Sequence, residues 1–262
     1  VALAVSAVPE GLPIAMTVIL ALGMERILKR GGLLKHLKSA ETLGSASIIL
    51  TDKTGTLTQG TMEVSHVLPI EEGSEAKNKL LQAATVTSSA FIENPDKELS
   101  EWIVRGNATD KALLLAGLSS GITKKEFELT HTRIDFFPFE RERKFAAAIY
   151  QNNKNGEYSI FLSGAPETLL EYSIIGAREK KHAEDIHREI ASQGSRLIAC
   201  AHKTSKSLPN KDHLCEKLVF LGFIGFHDPL RPDAKKALRV AEVAGIRPVI
   251  VTGDHRLTAQ TI

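Results

Sequence analysis

The chain has 262 residues, a formal charge of +2, 43% hydrophobic residues and 24% charged ones. That balance excludes a disordered tail, a collagen-like rod, a low-complexity segment and a chain that is mostly membrane. A charge near zero argues against a dedicated nucleic-acid binder, and two cysteines, Cys200 and Cys215, are too few for a disulfide framework.

Residues 1–28 read VALAVSAVPEGLPIAMTVILALGMERIL, and Glu10 is the one ionisable residue before Glu25. A bilayer core needs about 20 apolar helical residues, so the segment predicts one transmembrane helix. A buried core helix and a signal-peptide core are the alternatives. The second fits poorly with a Pro9-Glu10-Gly11-Leu12-Pro13 break inside the run and basic residues after it. Pro9 and Pro13 each remove a backbone donor. Unwound backbone at membrane depth survives only inside protein or along a cavity, where its carbonyls become oxygen ligands for a cation. A carboxylate at that depth is a functional-site hypothesis by default, which makes Glu10 a candidate ligand. Residues 29–46 form a stalk whose basic residues, with Arg26 before them, mark this flank as cytoplasmic. A solvated helix face fits the same charges.

Residues 47–51 predict a buried strand, and Asp52-Lys53-Thr54-Gly55-Thr56-Leu57-Thr58 follows as a polar glycine loop. Ligands in open α/β sheets bind beyond the carboxyl ends of strands, so Asp52 stands where chemistry occurs. Residues 63–222 read as a separate α/β domain inserted into the first. Helices are predicted over 76–91, 108–118, 167–172 and 179–193. Strands are predicted over 133–139, 144–150, 158–162, 196–202 and 218–226, with a turn at 152–156. After the Asp228-Pro229-Leu230-Arg231-Pro232 turn, 233–244 predicts an amphipathic helix ended by Gly245. A buried strand over 246–251 leads into Thr252-Gly253-Asp254. Two strand–aspartate units, at Asp52 and Asp254, can converge on one site from one sheet. The start at Val1 inside an apolar run and the stop at Ile262 after a helix signal read as a piece of a longer protein.

The seven residues from Asp52 to Thr58 resemble the phosphorylation signature of P-type cation-transporting ATPases. Pro9-Glu10-Gly11-Leu12-Pro13 resembles the cation-site break of the calcium-transporting type II group. Glu41-Thr42-Leu43-Gly44, then Phe139 with Arg141 and Lys144, Gly164-Ala165-Pro166-Glu167, Asp228-Pro229 with Arg231, and Thr252-Gly253-Asp254 follow in the family's order. The resemblance covers essentially the whole chain. It implies an α/β fold: an incomplete haloacid dehalogenase-like Rossmannoid phosphorylation domain (47–62 and 223–262) with an inserted α/β nucleotide-binding domain (63–222), preceded by one transmembrane helix.

By this resemblance Asp52 is the nucleophile that takes the γ-phosphate of ATP, with Lys53, Thr54, Thr252, Gly253 and Asp254 around it. Asp52 and the Thr54 carbonyl would hold Mg²⁺. Phe139 would stack on adenine, and Asp110 would sit near it. Arg141 and Arg196 would contact phosphate or ribose, Lys144 would supply nearby positive charge, Gly164 a close backbone approach, and Asp228 and Arg231 polar contacts near the phosphates. Ser163 stands where the family usually has lysine, which removes a cation from the pocket. Thr54 stands where phosphatases of this fold usually carry an acid/base aspartate, so the phosphoenzyme is expected to persist. Glu10 with the carbonyls near Val5, Ser6 and Val8 would bind the transported cation, for which the break points to Ca²⁺ with its six to eight oxygen ligands. The implied partners are ATP, that cation, the lipid bilayer and the missing parts of the same chain. These comprise an actuator domain, further membrane helices and the main Mg²⁺ carboxylate beyond Ile262. The rivals are a soluble haloacid dehalogenase-type phosphatase, which leaves Glu10 and Thr54 unexplained, and a non-catalytic ATP-binding fragment.

Overall fold

The computed structural model describes residues 11–98, 101–192, 195–210 and 213–251. The described chain forms two compact units, residues 11–51 with 233–251, and residues 52–232.

The first unit opens with α1 (Gly11–Lys29). Its 19 residues are long and apolar enough to cross a membrane, and none of them is buried. Pro13 sits in the first turn, where its missing N–H costs no helical bond, and its carbonyl accepts from Thr17 Oγ1 at 2.8 Å. Then come α2 (Leu37–Gly44) and β1 (Ile48–Asp52). From the far end of the chain α8 (Ala234–Val243) and β10 (Arg247–Val251) join them. β1 pairs with β10 in a two-stranded sheet, and Arg247 N–H donates to the Ser47 carbonyl at 2.8 Å. The expected strands form, but β1 is not buried: Ile48 and Leu50 are 53% and 70% exposed. An unbroken apolar run suits a strand covered on both faces. A two-stranded pair does not supply that cover among the described residues.

The second unit is built on a six-stranded antiparallel sheet. In chain order its strands are β2 (Glu63–Pro69), β5 (His131–Phe137), β6 (Phe145–Asn152), β7 (Tyr158–Gly164), β8 (Arg196–Ser205) and β9 (Val219–His227). Their spatial order is β2-β9-β8-β7-β6-β5. A two-stranded ribbon, β3 (Phe91–Ile92) with β4 (Val104–Arg105), falls between β2 and β5 in sequence and pairs separately from the sheet. The helices are α3 (Ser74–Thr87), α4 (Ala108–Ser119), α5 (Lys124–Glu128), α6 (Pro166–Glu171) and α7 (Ala177–Ser192).

Helices cover both faces of the sheet, so its central strands are apolar throughout rather than alternating. Residues i and i+2 of a strand share a face. Ala148 and Tyr150 of β6 pack with Phe161, Cys200, Ile224 and Phe226 against Leu80 and Leu81 of α3 and Leu113 of α4. Ala147 and Ile149, one residue out of phase, pack with Ile160, Leu162 and Phe223 against Leu169 of α6 and Ala183 of α7. Burying a Leu, Ile or Phe side chain contributes about 1.5–3 kcal/mol, and this double layer holds most of the buried apolar residues. The strand and helix expectations of 63–222 are met to within a few residues, including the β6–β7 turn, where Gly156 N–H donates to the Asn152 carbonyl at 2.9 Å. Two ends shift for clear reasons. β5 stops at Phe137 because Pro138 has no N–H to extend the ladder. α3 stops at Thr87 because Ser88 turns to extended backbone angles, its Oγ donating to the Asp110 carbonyl at 2.9 Å.

Candidate functional site

Two groups of predicted residues assemble within the second unit. The first is the loop after β1. Asp52 ends that strand and is exposed, whereas Lys53 is buried with 8% of its surface accessible. The chain turns through Gly55 at φ +76°, a left-handed conformation that favours glycine. Gly55 N–H donates to Thr58 Oγ1 at 3.1 Å. Thr58 Oγ1 lies 2.6 Å from Asp228 Oδ2 and 3.1 Å from the Lys53 carbonyl. Its single proton goes to the carboxylate, the stronger acceptor.

Asp228 takes a second bond at its other oxygen, from Gly60 N–H at 2.9 Å. Gln59 N–H donates to the Pro229 carbonyl at 2.9 Å, and Arg231 N–H to the Leu57 carbonyl at 2.8 Å. Arg231 Nη2 reaches the Gly55 carbonyl at 3.0 Å. Residues 228–231 therefore clamp the loop over residues 55–60. Both Asp228 oxygens and one Arg231 nitrogen are engaged with loop groups, so these two side chains hold the loop's shape. Thr54 lies exposed on the same turn, with extended backbone angles.

The second group surrounds a cavity of about 640 Å³, whose lining includes Asp110, Phe139, Ser163, Gly164 and Arg196. The five come from four elements or connections. Asp110 is in the first turn of α4, whose N-cap Asn107 accepts from Asp110 N–H at 2.8 Å. Asn107 Nδ2 also donates to Asp110 Oδ2 at 2.8 Å. Phe139 follows Pro138 off the end of β5 and is 55% exposed, so its ring is open to a ligand rather than in the core. Ser163 and Gly164 end β7, and Arg196 begins β8.

A Cβ at Gly164 would come within 2.3 Å of the Lys144 carbonyl oxygen and 2.7 Å of Phe145 Cα. The close approach that requires glycine is thus to the neighbouring strand, which also receives Ala165 N–H at the Lys144 carbonyl, 2.9 Å away. Arg141 and Lys144, exposed on the β5–β6 turn, are not among the lining residues. Lys144 instead takes a left-handed φ of 58° that lets the chain enter β6.

Asn107, Glu167 and His187 also line the cavity. Asn107 was legible as an N-cap with an acid three residues on. His187 was not: it reaches the cavity from α7, stacked on Phe223 with ring centroids 6.0 Å apart. Val5, Ser6, Val8, Glu10, Thr252, Gly253 and Asp254 lie outside the described residues. Among the described residues no cluster of three or more His, Cys, Asp or Glu side chains forms a metal centre.

An antiparallel sheet with helices on both faces, a polar and aromatic cavity at its strand ends, and a clamped Asp-Lys-Thr-Gly-Thr loop define the class. The chain belongs to the P-type ATPases: the family model described as "P-type ATPase, cytoplasmic domain N" matches residues 76–233, more than half of the sequence. A calcium-transporting ATPase of Bacillus subtilis (strain 168) is 34% identical over 300 residues, covering 100% of this chain and 33% of that protein. Calcium-transporting ATPase 1 of Saccharomyces cerevisiae is 33% identical over 297 residues, with 100% and 31% covered. The cation-transporting ATPase pma1 of Synechocystis is 33% identical over 300 residues, with 100% and 33% covered. The chain spans about a third of the length of these relatives.

Proposed function

We propose that this chain carries the phosphorylation site and the ATP-binding domain of an ATP-driven cation pump that works through an aspartyl phosphate. The observation that carries the reading is the cavity where Asp110, Phe139, Ser163, Gly164 and Arg196 meet. Its open aromatic ring, acidic end and single arginine suit a nucleotide base and its charged tail. Residues 63–227, the span of the six-stranded sheet, act as the nucleotide-binding insertion. Residues 47–62 and 228–262 act as parts of a haloacid dehalogenase-like phosphorylation domain.

In the proposed reaction an Asp52 carboxylate oxygen forms a bond to the γ-phosphorus of ATP as the bond to the β,γ-bridging oxygen breaks. ADP leaves and the acyl phosphate remains on the chain. The clamp from Asp228 and Arg231 fixes the loop geometry around Asp52, since phosphoryl transfer is mainly a matter of positioning and charge. Lys53 adds positive charge beside the nucleophile. The Asp52 carboxylate and the Thr54 carbonyl are hard oxygen donors of the kind Mg²⁺ takes, one or two from protein with the rest from phosphate and water. Bound there, Mg²⁺ neutralises phosphate charge. Thr54 has no acid or base to offer the hydrolysis step, which favours a lasting phosphoenzyme over simple phosphatase turnover. Thr252, Gly253 and Asp254 complete the phosphate surroundings.

Helix α1, apolar and exposed, supports membrane insertion with the catalytic units on the cytoplasmic side. Glu10 and the carbonyls near Val5, Ser6 and Val8 contribute to the transport site. The names of the relatives favour Ca²⁺ as the cargo. Phosphorylation of the full-length protein by ATP, titrated across Ca²⁺, Mn²⁺, Na⁺ and K⁺, tests this. Acid-stable label that rises with Ca²⁺ supports the reading, and label indifferent to every cation contradicts transport.

A further inference from the structure

Lys124, the first residue of α5, is half-buried and points its ammonium at main-chain oxygens rather than at a carboxylate. Its Nζ donates to the Ser88 carbonyl and, at 3.0 Å, to the Ala90 carbonyl. Residues 88–90 form the turn that leaves α3, and that turn is tied to Asp110. Ser88 Oγ donates to the Asp110 carbonyl at 2.9 Å and accepts from Ala90 N–H at 3.0 Å. Ser89 Oγ donates to Asp110 Oδ2, which also receives Asn107 Nδ2. A continuous set of hydrogen bonds therefore runs from Lys124 through 88–90 to the carboxylate that lines the cavity.

We propose that Lys124 is a positioning residue for the Asp110 end of the cavity, acting through the turn at residues 88–90. The ammonium does not touch the ligand. It holds two carbonyls whose turn presents Ser88 and Ser89 to Asp110, and so fixes where that carboxylate sits. The proposal rests on the reading of the cavity as a nucleotide site. The charged groups that face Lys124 are Arg133 on β5, Asp110 on α4 and Glu128 on α5. Burial first, and the Arg133 charge second, push its pKa down to about 8, against the opposing pull of Asp110 and Glu128.

The brace is thus charged below about pH 8 and neutral above it, and charge-assisted hydrogen bonds are about twice as strong as neutral ones. Stability moves the other way. Between about pH 8 and pH 10.5 the unfolded lysine holds a proton that the folded one has lost, so this group's contribution to folding rises with pH. Nucleotide affinity that falls as stability rises separates a positioning role from a merely structural one.

The test measures ATP affinity of the full chain from about pH 7 to about pH 9.5, alongside thermal stability. Wild-type affinity is expected to fall about five- to tenfold across that range. Lys124→Met is expected to bind weakly at every pH and to lose the step. Ser88→Ala, which removes one of the turn's two ties to Asp110 and leaves the Ser89 tie and the lysine in place, is expected to shrink the step, and it serves if the first variant does not fold. A wild-type profile retained in both variants, or a flat wild-type profile, overturns the proposal. A wild-type chain that binds no ATP contradicts the nucleotide reading instead. Amide hydrogen exchange at Ala90 and Asp110 then decides the brace: faster exchange in Lys124→Met supports it, and unchanged exchange overturns it.

Discussion

Asp228 and Phe139 divide the work of the two assemblies at the level of single side chains. Asp228 satisfies Thr58 Oγ1 and Gly60 N–H with separate oxygens. Asp228→Ala removes the carboxylate from Gly60 N–H and leaves Thr58 Oγ1 only the Lys53 carbonyl at 3.1 Å, and hydrogen bonds to a charged group contribute about 1.5–3 kcal/mol each. Phosphoenzyme formation should fall at least tenfold while ATP affinity stays near wild type; equal losses in both would show that Asp228 touches the nucleotide. Phe139→Ala should do the reverse. A base stacked on an aromatic ring is held by about 1–3 kcal/mol, so ATP affinity should drop roughly five- to 100-fold on calorimetric titration. Because Phe139 is exposed, the melting temperature should not move; a large fall would mark it as a packing residue. By sequence both residues are expected as nucleotide or phosphate contacts, whereas both Asp228 oxygens bond to the loop instead. What the sequence did not carry is the direction in which Asp228 and Arg231 point, because their partners lie about 170 residues away.

Among the elements, strands with a sustained apolar run or alternation were readable, and short or irregular ones were not. β6 and β7 are adjacent in sequence, alternate between two buried faces and meet at a turn rich in Asn and Gly. β2 was missed: its run Glu-Val-Ser-His-Val-Leu-Pro has no sustained alternation, and it pairs with β9 from the opposite end of the insertion. β3 and β4 are two residues long, too short for any periodicity. The burial of β1 was overread because an apolar strand implies cover on both faces, whereas its pairing supplies one neighbour, β10. Gly164 tests the joint between β6 and β7. Gly164→Ala forces a methyl against the Lys144 carbonyl, and overpacking of this kind costs about 1–3 kcal/mol. The melting temperature should fall by several degrees, and an unchanged value would mean that the two strands can separate without cost.

For the whole molecule, the near-neutral composition averages unlike parts. An apolar helix, a two-stranded pair with one helix against it, and a double-layered antiparallel domain share one ordinary-looking mean. Within the second unit, residues 53–60 with 228–231 form a clamped loop, and five predicted residues meet at a cavity. Five of the residues read as nucleotide contacts line that cavity, while Arg141 and Lys144 stay on an exposed turn. The missing cation at Ser163 leaves Arg196 as the one Lys or Arg among the lining residues.

The central claim is that Asp52 becomes phosphorylated, and labelling of the full-length protein with γ-phosphate-labelled ATP tests it most directly. Wild type should form an acid-stable, hydroxylamine-sensitive phosphoenzyme, and Asp52→Asn should form none while still binding ATP. Label that persists in Asp52→Asn would contradict the assignment of the nucleophile and, with it, the account of the clamped loop.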